Sequence, residues 1–194
     1  MKEKICCGES LLNNVFTFKY LGHHFQADGD AGHAVEVRMG QARSRFGELH
    51  HVWSSSQLSL GLKLRLYIAG VCSMLAHGGE AWLLCPQTVR TLRGWSARCL
   101  VIITGRSWRE ESVDPSVNLI GHLRSRRLRW LGHILRMSED RMLHRMVCQS
   151  VQPYPVGSIF DNAPPHSSMV ELMQFASDKS NWRSSVRKTR KLRE

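Results

Sequence analysis

Apolar positions recur with a helical period over most of this chain, and with a strand period only near its start. Over residues 16–26 (FTFKYLGHHFQ) aromatic and polar side chains alternate around Gly22, and Asp28-Gly29 follows as a turn signal. That pattern predicts a short strand or hairpin. Val35, Met39, Ala42, Phe46, Leu49 and Trp53 then recur at steps of four and three. They predict one amphipathic helix, with Arg38, Gln41 and Arg45 on its outer face and the serines at 54–56 ending it. Residues 58–84 are apolar on nearly every side, through Leu62, Leu64, Leu66, Ile68, Val71, Met74 and Leu75, and predict a central helix covered by its neighbours. Pro86 suits the first turn of the next helix. Its stripe is Val89, Leu92, Trp95, Cys99 and Ile102, with Arg90, Arg93 and Arg98 elsewhere, and Gly105 is its stop.

After a polar loop at 107–115 comes RSRRLRWLGHILRM, residues 124–137. At about 100° per residue, Arg126, Arg129, His133 and Arg136 share one side, and Leu128, Leu131 and Leu135 lie nearly opposite, flanked by Trp130 and Ile134. A further helix is expected from about 140 to 151. Pro153, Pro155, Pro164 and Pro165 make 152–167 a linker. Ser168 followed by Glu171 is a capping-box pattern that starts a short helix bearing Leu172, Met173 and Phe175. From Trp182 a last helix carries Arg183, Arg187, Lys188, Arg190, Lys191 and Arg193. The expected fold class is mainly α: a thumb-sized helical bundle with a short N-terminal β hairpin and a looser C-terminal helical segment. Its expected parts are a leader and hairpin (1–34), a helical domain (35–105), basic connecting helices (106–151), and a linker with basic C-terminal helices (152–194).

Charge narrows the partners. The 194 residues carry a net charge of +11 on a composition that is 42% hydrophobic and 22% charged. That is an ordinary globular balance, so the excess charge sits on a folded body and points to nucleic acid ahead of an anionic membrane. Guanidinium groups in a row suit phosphates, because each stays charged and can donate two parallel hydrogen bonds. Cys6, Cys7, Cys72, Cys85, Cys99 and Cys148 have no framework spacing, and residues 1–10 are charged without an apolar core. Reduced thiols in a nuclear or cytoplasmic, non-secreted protein are the expectation. His77, Gly78, Gly79 and Glu80 interrupt the apolar stretch at 66–84 well short of the ~20 residues a membrane span needs.

Candidate chemistry is sparse. There is no G-x-S-x-G elbow, P-loop or G-x-G-x-x-G. Cys72 and Cys99 fall on core stripes. His144 and Cys148 sit at i, i+4 and form only half of a structural zinc site, which takes two close ligand pairs. The adjacent pairs His23-His24 and His50-His51 read as surface or partly buried histidines. Glu80, between apolar helix and Trp82, is costly without a partner and should pair with an arginine, with Arg98 a candidate. RKTRKLR at 187–193 reads equally as a nuclear-import signal, a phosphate contact or a solvated helix end.

Five segments in order carry a resemblance: FKYLG (18–22), ARSRFGEL (42–49), KLRLYIAGVCSMLAHGGEAW (63–82), RCLVIITGRSWRE (98–110) and RRLRWLGHILRM (126–137). Together with APPHSSMVELMQFASDKSNWRSSVR (163–187), they resemble the region just after the polymerase palm in LINE-type, non-LTR retrotransposon reverse transcriptases. The resemblance runs from about residue 16 to 187. It implies that Phe18, Tyr20, Leu21 and Gly22 belong to a primer-grip hairpin, that 35–105 is the thumb, and that 124–137 begins the connecting region. The chain departs from the pattern at His77-Gly78-Gly79-Glu80-Ala81-Trp82, where many relatives have Tyr-Gly before Glu-X-Trp.

The family's polymerase chemistry needs two adjacent aspartates for two magnesium ions, and no Asp-Asp pair occurs in this sequence. Asp28 and Asp30 flank a turn glycine, and Glu110-Glu111 and Glu139-Asp140 read as helix-start or loop acids. The resulting expectation is a palm-less fragment that is not an enzyme by itself and has no cofactor and no metal. It would grip RNA, DNA or hybrid backbone through Lys19, Arg38, Arg45, Arg93, Arg126, Arg129 and Arg136, without a membrane partner. The missing palm of a parent polymerase is a further candidate partner. Two rivals stay open: a transposon-derived fossil without activity, and a piece of a longer active reverse transcriptase.

Overall fold

A computed structural model of the chain describes residues 5–8, 10–27, 32–105, 117–149, 160, 163–165 and 168–191. The Asp28-Gly29 turn, the 107–115 loop, Glu110-Glu111, most of the 152–167 linker and the last three residues fall outside them. The fold is mainly helical with an N-terminal antiparallel hairpin, as the periodicity predicts. Strands β1 (Ile5–Cys7) and β2 (Ser10–Leu12) pair with each other, and β3 (Thr17–Tyr20) pairs with β4 (His23–Gln26). In the second hairpin Phe18 lies opposite Phe25 and Tyr20 opposite His23. The two-residue connection has positive φ at both Leu21 (47°) and Gly22 (79°), the twist that closes tight hairpins. Glycine adopts that conformation freely, whereas leucine is strained in it.

Helix α1 (Gly32–Glu48) buries Val35, Met39 and Ala42, and α2 (His50–Ser54) buries Trp53. The expected single helix thus breaks at Leu49, whose φ of −90° and ψ of 14° bend the chain. Trp53 folds back so that its Nε1 donates to the Phe46 carbonyl, 2.9 Å away, with its ring stacked on Phe46.

The expected central helix at 58–84 is a correction. Helix α3 (Leu60–Leu66) leaves Leu60, Leu62 and Leu66 exposed. A π-helical turn over Tyr67–Cys72 follows, in which the Ser73 N–H reaches back to the Ile68 carbonyl. A last α turn, α4 (Ser73–Leu75), leads to Gly78 at φ 70° and to a 3₁₀ turn at Gly79–Ala81. The extra residue in the π turn swings the apolar face inward, so that Tyr67, Val71, Cys72 and Leu75 are buried. Helix α5 (Pro86–Thr104) starts at Pro86 and stops at left-handed Gly105 as expected. Its stripe ends on buried Ile103, and Ile102 is exposed.

The central position belongs to α6 (Leu119–Ile134), which starts five residues before the basic stretch, capped by Asn118 Oδ1 accepting from the Gly121 N–H. Its first half, with Leu119, Ile120 and Leu123, joins the core built by α1, the π turn and α5. Its second half, with Leu128 and Leu131, joins a second core with Leu135, Leu172, Ala176, Trp182 and Val186. The 58–84 stretch loses that position because a π turn and two glycines shorten it, whereas α6 runs unbroken between both cores. Helices α7 (Met142–Cys148), α8 (Met169–Ser177) and α9 (Lys179–Lys191) complete the fold. The Ser168 cap is present, its Oγ accepting from the Glu171 N–H. Among the described residues no helix is long and apolar enough to cross a membrane.

Helix α9 is seated by one side chain. Trp182 is 3% exposed and its Nε1 donates to the Leu128 carbonyl, 2.9 Å away on α6. Its indole lies so close to Gly132 that a Cβ there would fall inside the ring. Gly132→Ala should therefore cost about 1–3 kcal/mol, the range for an overpacked core. Gly47→Ala, where a Cβ meets open space on α1, should instead stabilise by about 0.5–1 kcal/mol. Urea unfolding of both variants checks the pair, and equal midpoints would contradict the proposed seating.

Candidate nucleic-acid interface

The basic faces of α6 and α9 meet across an open groove of about 710 Å³. Arg129, His133 and Arg136 line it from α6, where their spacing of four and three puts them on one face, with Arg136 just past the helix end. Lys179, Arg183 and Arg187 line it from α9 at steps of four. Trp182 and Val186, both buried, form its floor, and none of the lining residues is acidic. Five permanent cations therefore face one space without a carboxylate among the residues that line it, an arrangement that concentrates positive potential.

Local chemistry holds the groove's ends. Arg136 is half-buried, and its Nη1 donates to the Ala176 carbonyl, 2.9 Å away in the last turn of α8, where a cation complements the helix dipole. Burial, and then the neighbouring charge of Arg183, lowers the Arg136 pKa. That direction means the site gains from an anion that relieves the crowding of charge. Asp178 Oδ1 accepts from the N–H groups of Ser180 (2.8 Å) and Asn181 (3.1 Å), which caps α9 and directs its first turn.

Of the residues expected to contact phosphate, only Arg129 and Arg136 line this groove. Three others are engaged inside the protein. Arg126 closes a fork on Glu80, with Nε and Nη2 each 2.7 Å from Oε1, and ties the 3₁₀ turn to α6. This corrects the Glu80–Arg98 pairing, since Arg98 Nε instead donates to the Gly94 carbonyl on its own helix. Arg38 donates from Nη2 to the Gly22 carbonyl at 2.5 Å and from Nη1 to Gln41 Oε1 at 3.0 Å, and burial lowers its pKa. Arg45 is in an i, i+3 ion pair with Glu48. Lys19 and Arg93 are exposed but do not line the groove. The periodicity of 124–137 did identify the α6 row. Lys179, Arg183 and Arg187 were legible as an i, i+4, i+8 row once α9 is started at Lys179 rather than at Trp182.

The primer-grip-like residues stand apart from the groove lining. Phe18 and Tyr20 project from one face of the hairpin with rings nearly parallel, centroids 6.5 Å apart, and Leu21 at the tip is 77% exposed. Gly22 is fixed by Arg38. The opposite end of the same face is docked: His23 packs directly on Gly78, where no Cβ would fit, and stacks on His77.

The histidines and cysteines divide as expected by burial. His50 and His51 are exposed, whereas His23 and His24 are half-buried. Cys72 and Cys99 are buried, and desolvation pushes both thiols up to about 12, so they are inert as nucleophiles. Among the described residues no three His, Cys, Asp or Glu side chains converge as a metal site. Compared with known proteins, the chain matches no family model, no curated protein and no solved structure at a significant level.

Burial, and then the charges of Arg38 and His77, lower the His23 pKa from the usual imidazole range, against a smaller opposing effect of Glu80. A docked imidazole with a lowered pKa binds fewer protons than a free one. Hairpin docking is therefore intact above the ordinary imidazole value of about 6.5 and weakens as pH falls below it. Amide exchange over residues 17–26 should speed up between about pH 7.5 and 5.5 beyond the intrinsic trend, an effect that His23→Asn removes.

Proposed function

We propose that this chain is a non-catalytic nucleic-acid-binding module that grips backbone phosphates in the groove between α6 and α9. The observation that carries it is the set Arg129, Arg136, Lys179, Arg183 and Arg187 around one open space with no acidic residue lining it. Arginine forks suit phosphate oxygens, and phosphate contacts give affinity without choice of base. Trp182, the groove's one aromatic ring, is buried against Gly132 and bonded to Leu128, so it is not available to stack an unpaired base. A duplex backbone fits this lining better than a stacked single strand.

The ordered segments that resemble LINE-type reverse transcriptases support an origin in the post-palm part of such an RNA-directed DNA polymerase. The chain would then retain its thumb and connecting region while lacking the paired aspartates of the palm. A covered apolar face on α1 favours a folded module over a fossil that cannot pack, since Val35, Met39 and Ala42 are all buried. The exposed aromatic hairpin favours the second reading, a piece of a longer reverse transcriptase, in which a palm would cover Phe16, Phe18, Tyr20 and Phe25.

Binding of an RNA–DNA hybrid should weaken by about 100-fold between roughly 50 and 200 mM salt if about four phosphates are neutralised. Arg129→Glu with Arg183→Glu should lower affinity at least about 100-fold, whereas Arg65→Glu, exposed on α3, should change it by no more than about threefold. Fluorescence anisotropy reads all three. Equal losses at Arg65 and at the groove would reduce the groove to generic charge and sink the proposal.

A further inference from the structure

Helices α7 and α8 bring three soft donors together away from the cationic groove. His144 and Cys148 lie at i, i+4 on α7, with Nε2 3.5 Å from Sγ. Met173, on α8, places its thioether sulfur 4.0 Å from the same Sγ. His144 is 4% exposed, and the other two side chains are half-buried. We propose that His144, Cys148 and Met173 form a binding site for a monovalent soft metal ion of the copper(I) class.

Geometry, donor type and charge agree on that ion. Metal bonds of about 2.0 Å to nitrogen and 2.3 Å to sulfur put two donors of one ion roughly 3.5–4 Å apart at angles between tetrahedral and trigonal. Both donor separations here have that size. A thioether is a poor ligand for zinc and a good one for copper(I), as is a thiolate. Among the described residues no third His, Cys, Asp or Glu joins the pair, so one thiolate is the anionic donor of the set. It neutralises a single positive charge, whereas a divalent ion would leave a net charge beside a buried imidazole.

Without metal, the Cys148 thiol is pushed up, first by burial and then by the charge of Glu139, and the site holds S–H against imidazole. Metal uptake replaces that proton: the S–H bond breaks, the sulfur–metal bond forms, and one proton is released to solvent for each ion bound. No change of oxidation state is involved. The bound ion would join α7 to α8 across the segment between them, a cross-link that the second core otherwise supplies only through packing.

The test uses the full chain with Cys6, Cys7 and Cys85 replaced by serine, which removes thiols outside the triad other than buried Cys72 and Cys99. Titrated anaerobically into the coloured copper(I)–bicinchoninate complex, it should withdraw one equivalent of metal. X-ray absorption at the copper edge should show one nitrogen and two sulfur donors. Cys148→Ser should abolish uptake, and volume-conserving Met173→Leu, which keeps the fold, should weaken it at least about tenfold. Absence of uptake, a single sulfur donor, or unchanged affinity in Met173→Leu with native circular dichroism would each overturn the site. None of these outcomes bears on hybrid binding by the groove.

Discussion

The contact between Trp182 and Gly132 is the constraint on which the functional face of this protein depends. A tryptophan on a short basic helix finds the one position on α6 without a side chain and bonds to the carbonyl four residues before it. That carbonyl already serves its own helix, and its second lone pair accepts the indole N–H. Burying so large a ring fixes both the distance and the rotation of α9. Rotation is what matters for the groove, because it turns Lys179, Arg183 and Arg187 toward Arg129 and Arg136 instead of into solvent. The like charges across the groove oppose the packing that assembles it, so the apolar floor of Trp182 and Val186 must hold them together.

Arginine is used in this chain for two opposed purposes, and local sequence does not separate them. Arg126 and Arg129 are three residues apart on one helix with similar neighbours. One is spent on Glu80, 46 residues away, and the other faces the groove. The difference lies in what each helix face meets after folding. Glu80 is carried to α6 by the tight turn at Gly78 and Gly79, and Gly79 is close-packed on Leu123. Likewise Arg38 became the clasp of the β3–β4 hairpin because its helix starts beside that hairpin's tip.

What was legible in the sequence follows from the range of the forces involved. The α1 stripe, the start and stop of α5 at Pro86 and Gly105, the Ser168 cap and the hairpin around Gly22 are all local, and local rules placed them. The arginine partner of Glu80 was demanded by burial, but its identity needed the tertiary fold. Helix α6 was legible as an arginine face opposed to a leucine face, yet not as the spine of two cores, because its N-terminal half was hidden behind a polar loop. The π turn had no signal in periodicity: apolar residues on every side masked a change of phase.

That π turn has a consequence for how the chain tolerates change in length. A π turn is what one added residue makes of an α-helix when both flanks stay in place. Here it lets α3 and α4 keep separate angular settings, with Tyr67 bonded to Ser96 on one side and Leu75 sunk in the core on the other. Removing a single residue from Tyr67–Cys72 would relax the turn to α geometry and rotate everything after it by about 100° relative to α3. Leu75 would leave the core, and the turn carrying Glu80 would no longer meet Arg126. The spacing of this segment is therefore held by residue count as much as by residue type, and it is the place in the helical core where a one-residue deletion reaches furthest.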